Sequence, residues 1–207
     1  FKLSKNFDYP FFSRNVSEFW QKWHITLIEW FRYYIVNKLR GYSKYKIMRN
    51  IFIVFLVTGL WHGANTTFIF WGFLHACTFI PLVYGRRKKY RHLVGYNQTL
   101  PTISELIQMI KVFLIFCVAG LFFRIDTVSN GFSCLYEMFS PSVFEIPVIS
   151  HNFFTILFGI GTLLTIEWIQ RTKDHGLEMD EDRIPTFARW GLYYALIFCI
   201  LYFGAPA

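Results

Sequence analysis

The sequence predicts an all-α membrane protein: a polytopic bundle of transmembrane helices, in which an amphipathic helix precedes a charge-free helical hairpin or re-entrant segment. Of the 207 residues, 54% are hydrophobic and 21% aromatic, and only 16% are charged. Soluble domains usually carry about a quarter charged residues. Four stretches have almost no charge, at 51–84, 103–123, 152–170 and 190–205. Since a helix needs about 20 apolar residues to cross a bilayer, we expect these stretches to lie in the membrane.

The amphipathic helix is predicted from 16 to about 39. Asn15 stands three residues before Glu18, a spacing typical of a capping box at a helix start. A continuous helix aligns the following residues on one aromatic face: Trp20, His24, Leu27, Phe31 and Ile35. Its opposite face carries Lys22, Glu29 and Arg32, of which Glu29 and Arg32 can pair at i,i+3. This pattern favours packing against the bundle or at the interface.

The charge-free stretch 51–84 is too long for one perpendicular span. It is either two short helices that turn near 63–65 or a tilted span with a re-entrant piece. Five basic residues precede it and five follow it: Lys38, Arg40, Lys44, Lys46 and Arg49, then Arg86, Arg87, Lys88, Lys89 and Arg91. The positive-inside rule places both ends in the cytoplasm. This favours the hairpin, with 103–123 then crossing outward, 124–150 outside and 152–170 returning.

The formal net charge of +8 does not predict nucleic-acid binding, because the basic residues lie in short segments between apolar runs. The four cysteines are isolated, so neither a disulfide framework nor a metal site is predicted.

Two histidines stand where water is scarce. His62 lies inside the charge-free stretch between Gly59 and Gly63, a small-residue spacing that continues to Thr67 and lets another helix approach closely. His24 lies on the aromatic face of the amphipathic helix. From the residues alone, His62 is either a proton-transfer group or a packed residue that donates to a neighbouring carbonyl. A bis-histidine haem protein and a transporter or exporter of a cell-envelope precursor also stay open.

Two segments carry a family resemblance. FWQKWHITLIEWFRYYI at 19–35 and GLWHGANTTFIFWGFLHA at 59–76 resemble the two signature segments of the membrane-bound O-acyltransferase family, in particular its alginate O-acetyltransferase-like branch. The stretches at 1–20, 121–132 and 173–180 support the resemblance in the expected order. One departure is the pair Tyr33 and Tyr34, where many relatives carry an Asp after the Arg that corresponds to Arg32.

The resemblance implies a multi-pass enzyme of the bacterial inner membrane. The chain would be a single partial catalytic domain over 1–207, the C-terminal half of the family fold with the N-terminal spans missing. The implied activity is O-acyl transfer, with acetyl as the expected group, from a cytoplasmic thioester to hydroxyls of an extracytoplasmic polysaccharide. The donor would be acetyl-CoA or an acyl thioester derived from it, with no tightly bound cofactor. The implied partners are the lipid bilayer, the polysaccharide and a periplasmic esterase-like protein.

The resemblance also implies roles for particular residues. The family's intramembrane catalytic histidine corresponds to His62, and its second signature histidine corresponds to His24. A neutral imidazole held away from water can accept a hydroxyl proton as general base. We expect a substrate tunnel around these histidines, lined by the following residues: Trp20, Trp23, Arg32, Trp61, Asn65 and Trp71.

Overall fold

A computed structural model describes residues 4–39, 41–85, 94–95, 99–141, 153–173 and 185–203. In these ranges the chain is helical, with one isolated β-bridge between Phe7 and Trp23. The all-α prediction is confirmed. The helices are α1 (Val16–Lys22), α2 (Ile25–Phe31), α3 (Asn37–Leu39), α4 (Lys44–His62), α5 (Thr66–Thr78), α6 (Ile80–Tyr84), α7 (Ile103–Arg124), α8 (Val128–Met138), α9 (Phe153–Gln170) and α10 (Thr186–Phe203), with a 3₁₀ turn at Pro10–Phe12 and a π turn at Arg32–Val36.

Three helical segments of the described residues are long and apolar enough to cross a membrane: Thr66–Tyr84, Ile103–Arg124 and Phe153–Gln170. The second and third match the predicted stretches 103–123 and 152–170. The fourth predicted stretch falls in α10, except for its last two residues, which lie outside the described part. The basic residues 86–91 and most of the stretch 173–180 also lie outside it.

The chain divides into two units, 1–153 and 154–207. In the second unit, α9 and α10 are separate helices of 18 residues each. The residues discussed below belong to the first unit.

The predicted continuous helix over 16–39 is wrong, because the chain breaks between α1 and α2. Trp23 is extended and His24 has φ 49° and ψ 52°, the left-handed region. The N-terminal segment holds this break, since Ile25 N–H donates to Asn6 O at 2.9 Å and Asp8 N–H donates to Lys22 O at 2.9 Å. The predicted single aromatic face is therefore not formed.

The predicted cap at Asn15 is confirmed, with a different partner for Glu18. The Asn15 side chain accepts from Glu18 N–H at 2.8 Å, as in a capping box. The Glu18 carboxylate, however, accepts from the backbone N–H of Arg14. The predicted pair of Glu29 and Arg32 is not formed, and both side chains line a cavity instead.

The predicted hairpin is confirmed. Helices α4 and α5 are joined by a turn at 63–65 and pack along each other with two glycines at the contact. A Cβ on Gly59 would lie 2.3 Å from Phe68 O, and one on Gly72 would lie 2.3 Å from Phe55 O. Each glycine thus faces the backbone of the other helix, the arrangement expected of small residues between membrane helices.

Aromatic side chains fill the space between α1, α4, α5 and α7. The centre of this core is Trp20, whose ring packs edge-on against Phe55 and Trp71 at 5.0 and 6.0 Å between ring centroids. The ring centroid of Phe19 lies 4.4 Å from that of Phe116 in α7. Edge-on aromatic pairs add stabilisation beyond the apolar area that they bury.

A buried arginine ties the start of α1 to α7. The Arg14 guanidinium contacts the carboxylates of Glu18 at 3.0 Å and Glu105 at 3.2 Å, and only 6% of the Arg14 side chain is exposed. One cation therefore neutralises two partly buried carboxylates. The contact fixes the N-terminal helix against the membrane-crossing helix.

Substituting Gly59→Ala should destabilise the hairpin by about 1–3 kcal/mol, because the new methyl group overlaps the Phe68 carbonyl and forces α4 and α5 apart. Gly120→Ala in α7 is the matched control, since no atom lies within 4 Å of its Cβ position. The control should be neutral or up to about 1 kcal/mol more stable. Thermal unfolding in detergent measures both. Equal melting temperatures for the two variants would contradict the close contact.

Substituting Arg14→Met should cost about 3 kcal/mol, because Glu105, with an 18% exposed side chain, loses its cation. Glu18, with a 16% exposed side chain, keeps only the longer contact with Lys22 at 3.8 Å. Lys5→Met is the control: its pair with Asp8 is more exposed, at 31% and 35%, and should be worth less than about 1 kcal/mol. Denaturant unfolding of both variants gives the comparison. A similar loss in both would show that the Arg14 contact has no special weight.

Candidate functional site

His62 is the last residue of α4 and is surrounded by aromatic rings. Its imidazole lies 4.8 Å from the ring of Phe123, 4.9 Å from Trp61 and 5.4 Å from Trp71, in each case edge-on, and 6.2 Å from Phe68. These rings come from α4, α5 and α7. The hairpin therefore places an ionisable side chain among these four rings, which we call the aromatic cage.

The imidazole nitrogens of His62 have no hydrogen-bond partner among the described residues. The side chain is partly buried. Among the hydrogen bonds of the described residues there is none to its imidazole, including none to a neighbouring carbonyl. The purely structural alternative required such a bond, because a polar group packed away from water is normally paired. The geometry thus favours an imidazole that is held by ring contacts and keeps its nitrogens open.

His24 lies at the chain break between α1 and α2. It is the residue before α2, and its carbonyl accepts from Ile28 N–H at 3.1 Å. Its Nδ1 is buried and has no partner within the described ranges. A left-handed backbone is uncommon for a residue with a side chain and persists only where the surroundings impose it. The position of His24 is thus set by a chain break and not by a helix face.

Trp71 and Trp20 pack against each other beside His62. Trp71 is 6% exposed and touches His62 on one side, and its ring lies 6.0 Å from that of Trp20 on the other. Trp20 is also 6% exposed. Trp71 is therefore in contact with His62, and Trp20 lies behind Trp71 as a packed ring.

The other predicted wall residues have different positions. Trp61 touches His62 but is 59% exposed. Trp23 stacks on Phe19 at 5.6 Å and does not contact His62. Asn65 is a helix cap, since its side chain accepts from Thr67 N–H at 3.2 Å and donates to Asp126 O at 3.3 Å.

Arg32 is exposed and lines a cavity of about 310 Å³ with Glu29 and Trp20. The remaining lining residues are Gln21, Ile25 and Ile28. This cavity combines apolar walls with one cationic and one anionic side chain, and it shares Trp20 with the aromatic core. It can accept an amphiphilic molecule.

Sequence reasoning missed two residues next to the site. Phe123 comes from α7, and its contact with His62 spans 61 positions of the chain, so no local pattern indicates it. The second residue is His75, which contacts Trp71 and whose nitrogens have no hydrogen-bond partner in the described structure. Its position one helical turn after Trp71 was the available signal.

The sequence profile of the membrane-bound O-acyltransferase family matches residues 5–125, more than half of the chain. This range contains both histidines and every residue of the predicted tunnel.

Individual relatives agree with the family match. The chain is 30% identical over 166 residues to the probable alginate O-acetylase AlgI of Pseudomonas aeruginosa, covering 79% of this chain and 30% of the relative. It is 32% identical over 140 residues to a peptidoglycan O-acetyltransferase of Helicobacter pylori, covering 66% and 25%. A teichoic acid D-alanyltransferase of Bacillus subtilis is 34% identical over 84 residues, covering 36% and 21%. The matched part of the chain thus spans less than a third of each relative.

Substitutions at His24 test whether its left-handed backbone conformation limits the stability of the fold. His24→Gly should raise the free energy of unfolding by up to about 1 kcal/mol, because glycine adopts the left-handed conformation without steric cost. His24→Val should lower the free energy of unfolding, since a β-branched residue is the least compatible with positive φ. Thermal unfolding of both variants tests this ordering. A glycine variant less stable than the valine variant would contradict the backbone geometry at this position.

Proposed function

The chain belongs to the membrane-bound O-acyltransferase family, and from that premise we propose that it carries the reaction centre of a membrane O-acyltransferase, with His62 as the general base. The observation that carries the proposal is the imidazole of His62, which lies among the rings of Trp61, Trp71 and Phe123 and has no hydrogen-bond partner among the described residues. Family membership favours acyl transfer over the exporter and the bis-histidine haem protein.

The chemistry follows from the position of His62. Its neutral imidazole accepts the proton of an acceptor hydroxyl while the oxygen attacks the carbonyl carbon of an acyl thioester. The new C–O bond forms, the C–S bond breaks, and the thiolate leaves and takes up the proton from the imidazolium. General base catalysis of this kind contributes about 10²- to 10⁴-fold to the rate. The rings around His62 limit the access of water, which would otherwise hydrolyse the thioester.

His24 supports this reaction. Its left-handed backbone, held by the N-terminal segment, forms a fixed corner between α1 and α2. From there the imidazole orients the substrate or polarises the thioester carbonyl. The cavity lined by Arg32 and Trp20 is the proposed entry for the donor, since an acyl thioester has an apolar and a charged part.

Acetyl is the proposed acyl group, drawn from acetyl-CoA or a thioester derived from it on the cytoplasmic side. The proposed acceptor is a polysaccharide outside the cytoplasmic membrane of a bacterium. The protein crosses this membrane several times. A separate periplasmic esterase-like protein completes the transfer. Support comes from the names of the relatives, two of which specify O-acetyl transfer and one D-alanyl transfer.

His62→Gln should lower O-acetylation of the cell-surface polysaccharides by at least about 100-fold, because the amide keeps hydrogen-bonding reach but cannot act as a base. The measurement is the O-acetyl content of each surface polymer in cells with the intact gene, with a deletion and with the variant, at matched membrane levels. The polymer that loses acetyl in the deletion identifies the acceptor.

Tyr136→Phe is the control for expression, since Tyr136 is 78% exposed on α8 and does not contact the site. It should acetylate like the intact protein. Full acetylation with His62→Gln, where the deletion abolishes it, would refute His62 as the base. If the deletion leaves every polymer acetylated, polysaccharide O-acetylation itself is refuted as the function.

A further inference from the structure

A second, fully buried histidine lies one aromatic ring away from His62. His75 is 1% exposed, and it belongs to α5 within the membrane-crossing segment Thr66–Tyr84. Its ring lies 4.8 Å from Trp71 and 5.0 Å from Trp20, edge-on to both. Trp71 in turn contacts His62. The series His62, Trp71, His75 and Trp20 therefore continues from the proposed reaction centre into the core.

Three polar atoms at the inner end of this series have no partner within the described part of the chain. These atoms are Nδ1 and Nε2 of His75 and Nε1 of Trp20, all fully buried. Polar groups inside a membrane protein are normally satisfied, since no bulk water is at hand to replace a missing partner. Two independent side chains with the same deficit, in mutual contact, indicate a shared partner.

The chain leaves room for such a partner. A cavity of about 10 Å³ between α1, α5 and α7 is lined by both residues, together with Val16, Phe19, Val112, Ile115 and Phe116. This is about the space that one water molecule requires. Among the described residues that line the cavity, only Trp20 and His75 have side chains that can form hydrogen bonds. The indole N–H donates, and the unprotonated imidazole nitrogen accepts.

We propose that this cavity binds one ordered water molecule, which accepts from the Trp20 indole N–H and donates to His75, and that His75 is thereby a positioning residue that holds Trp71 against His62. His75 touches neither substrate nor reacting atoms. It acts through Trp71, whose indole is in contact with both imidazoles. The positioning role rests on the proposed function, whereas the water site does not.

The water site is tested in the full chain in lipid, with ¹⁵N in tryptophan and histidine side chains. Trp20→Phe identifies the Trp20 indole signal, and magnetisation transfer from water to that indole proton reports the contact. We expect transfer in the intact protein, its loss in His75→Leu, and its retention in His75→Gln, whose amide can still pair. A Trp20 indole without water contact, or contact that persists in His75→Leu, would overturn the site.

The positioning role is tested by acetyl transfer kinetics. His75→Leu should lower kcat about tenfold or more with an unchanged KM for the donor, because a small displacement of the base is costly, and His75→Gln should restore kcat. Phe73→Leu, on the exposed side of the same helix, is the control. An unchanged kcat in His75→Leu would overturn the role. Failure of the proposed function would instead appear as full activity in His62→Gln, and the NMR result would not depend on it.

Discussion

The contact between α4 and α5 at Gly59 and Gly72 sets the position of everything around the candidate site. His62 follows Gly59 by three residues, and Trp71 directly precedes Gly72. The close approach of the two helix backbones therefore allows the His62 imidazole to contact the Trp71 indole. Larger side chains at either glycine would separate these rings. The hairpin turn alone would not bring them together, since it fixes only the ends of the helices.

Aromatic side chains hold the imidazole rings in place between the helices. An imidazole in hydrocarbon needs a surrounding that holds its ring without occupying its nitrogens, and edge-on ring contacts do this. Phe123, Trp61 and Trp71 hold His62 in this way. The deeper ring of His75 is held likewise, between Trp20 and Trp71. The aromatic residues thus fill the core between the helices and also position the two histidines.

The sequence predicted the helical class, the hairpin and the apolar segments, because length and charge pattern determine these features directly. It did not predict the break at His24. Histidine adopts the left-handed conformation more often than most residues do, but this preference is too weak to predict a break. The break depends on backbone hydrogen bonds to Asn6 and Asp8, which are distant in sequence. The signature motifs indicated both histidines and Trp71 as candidate site residues. They did not indicate Phe123, because its contact with His62 is tertiary and no local spacing predicts it.

The π turn at Arg32–Val36 limits how the length of the chain can vary in this region. Such a turn contains one residue more than a regular α turn, and α3 follows it with Leu39, whose carbonyl accepts from the Arg49 guanidinium at 2.8 Å. Deleting one residue would restore a regular helix and rotate the following residues by about 100°. The Leu39 carbonyl would then point away from α4. Insertions and deletions in related proteins are therefore expected to fall outside 32–39, in the loops where register has no structural consequence.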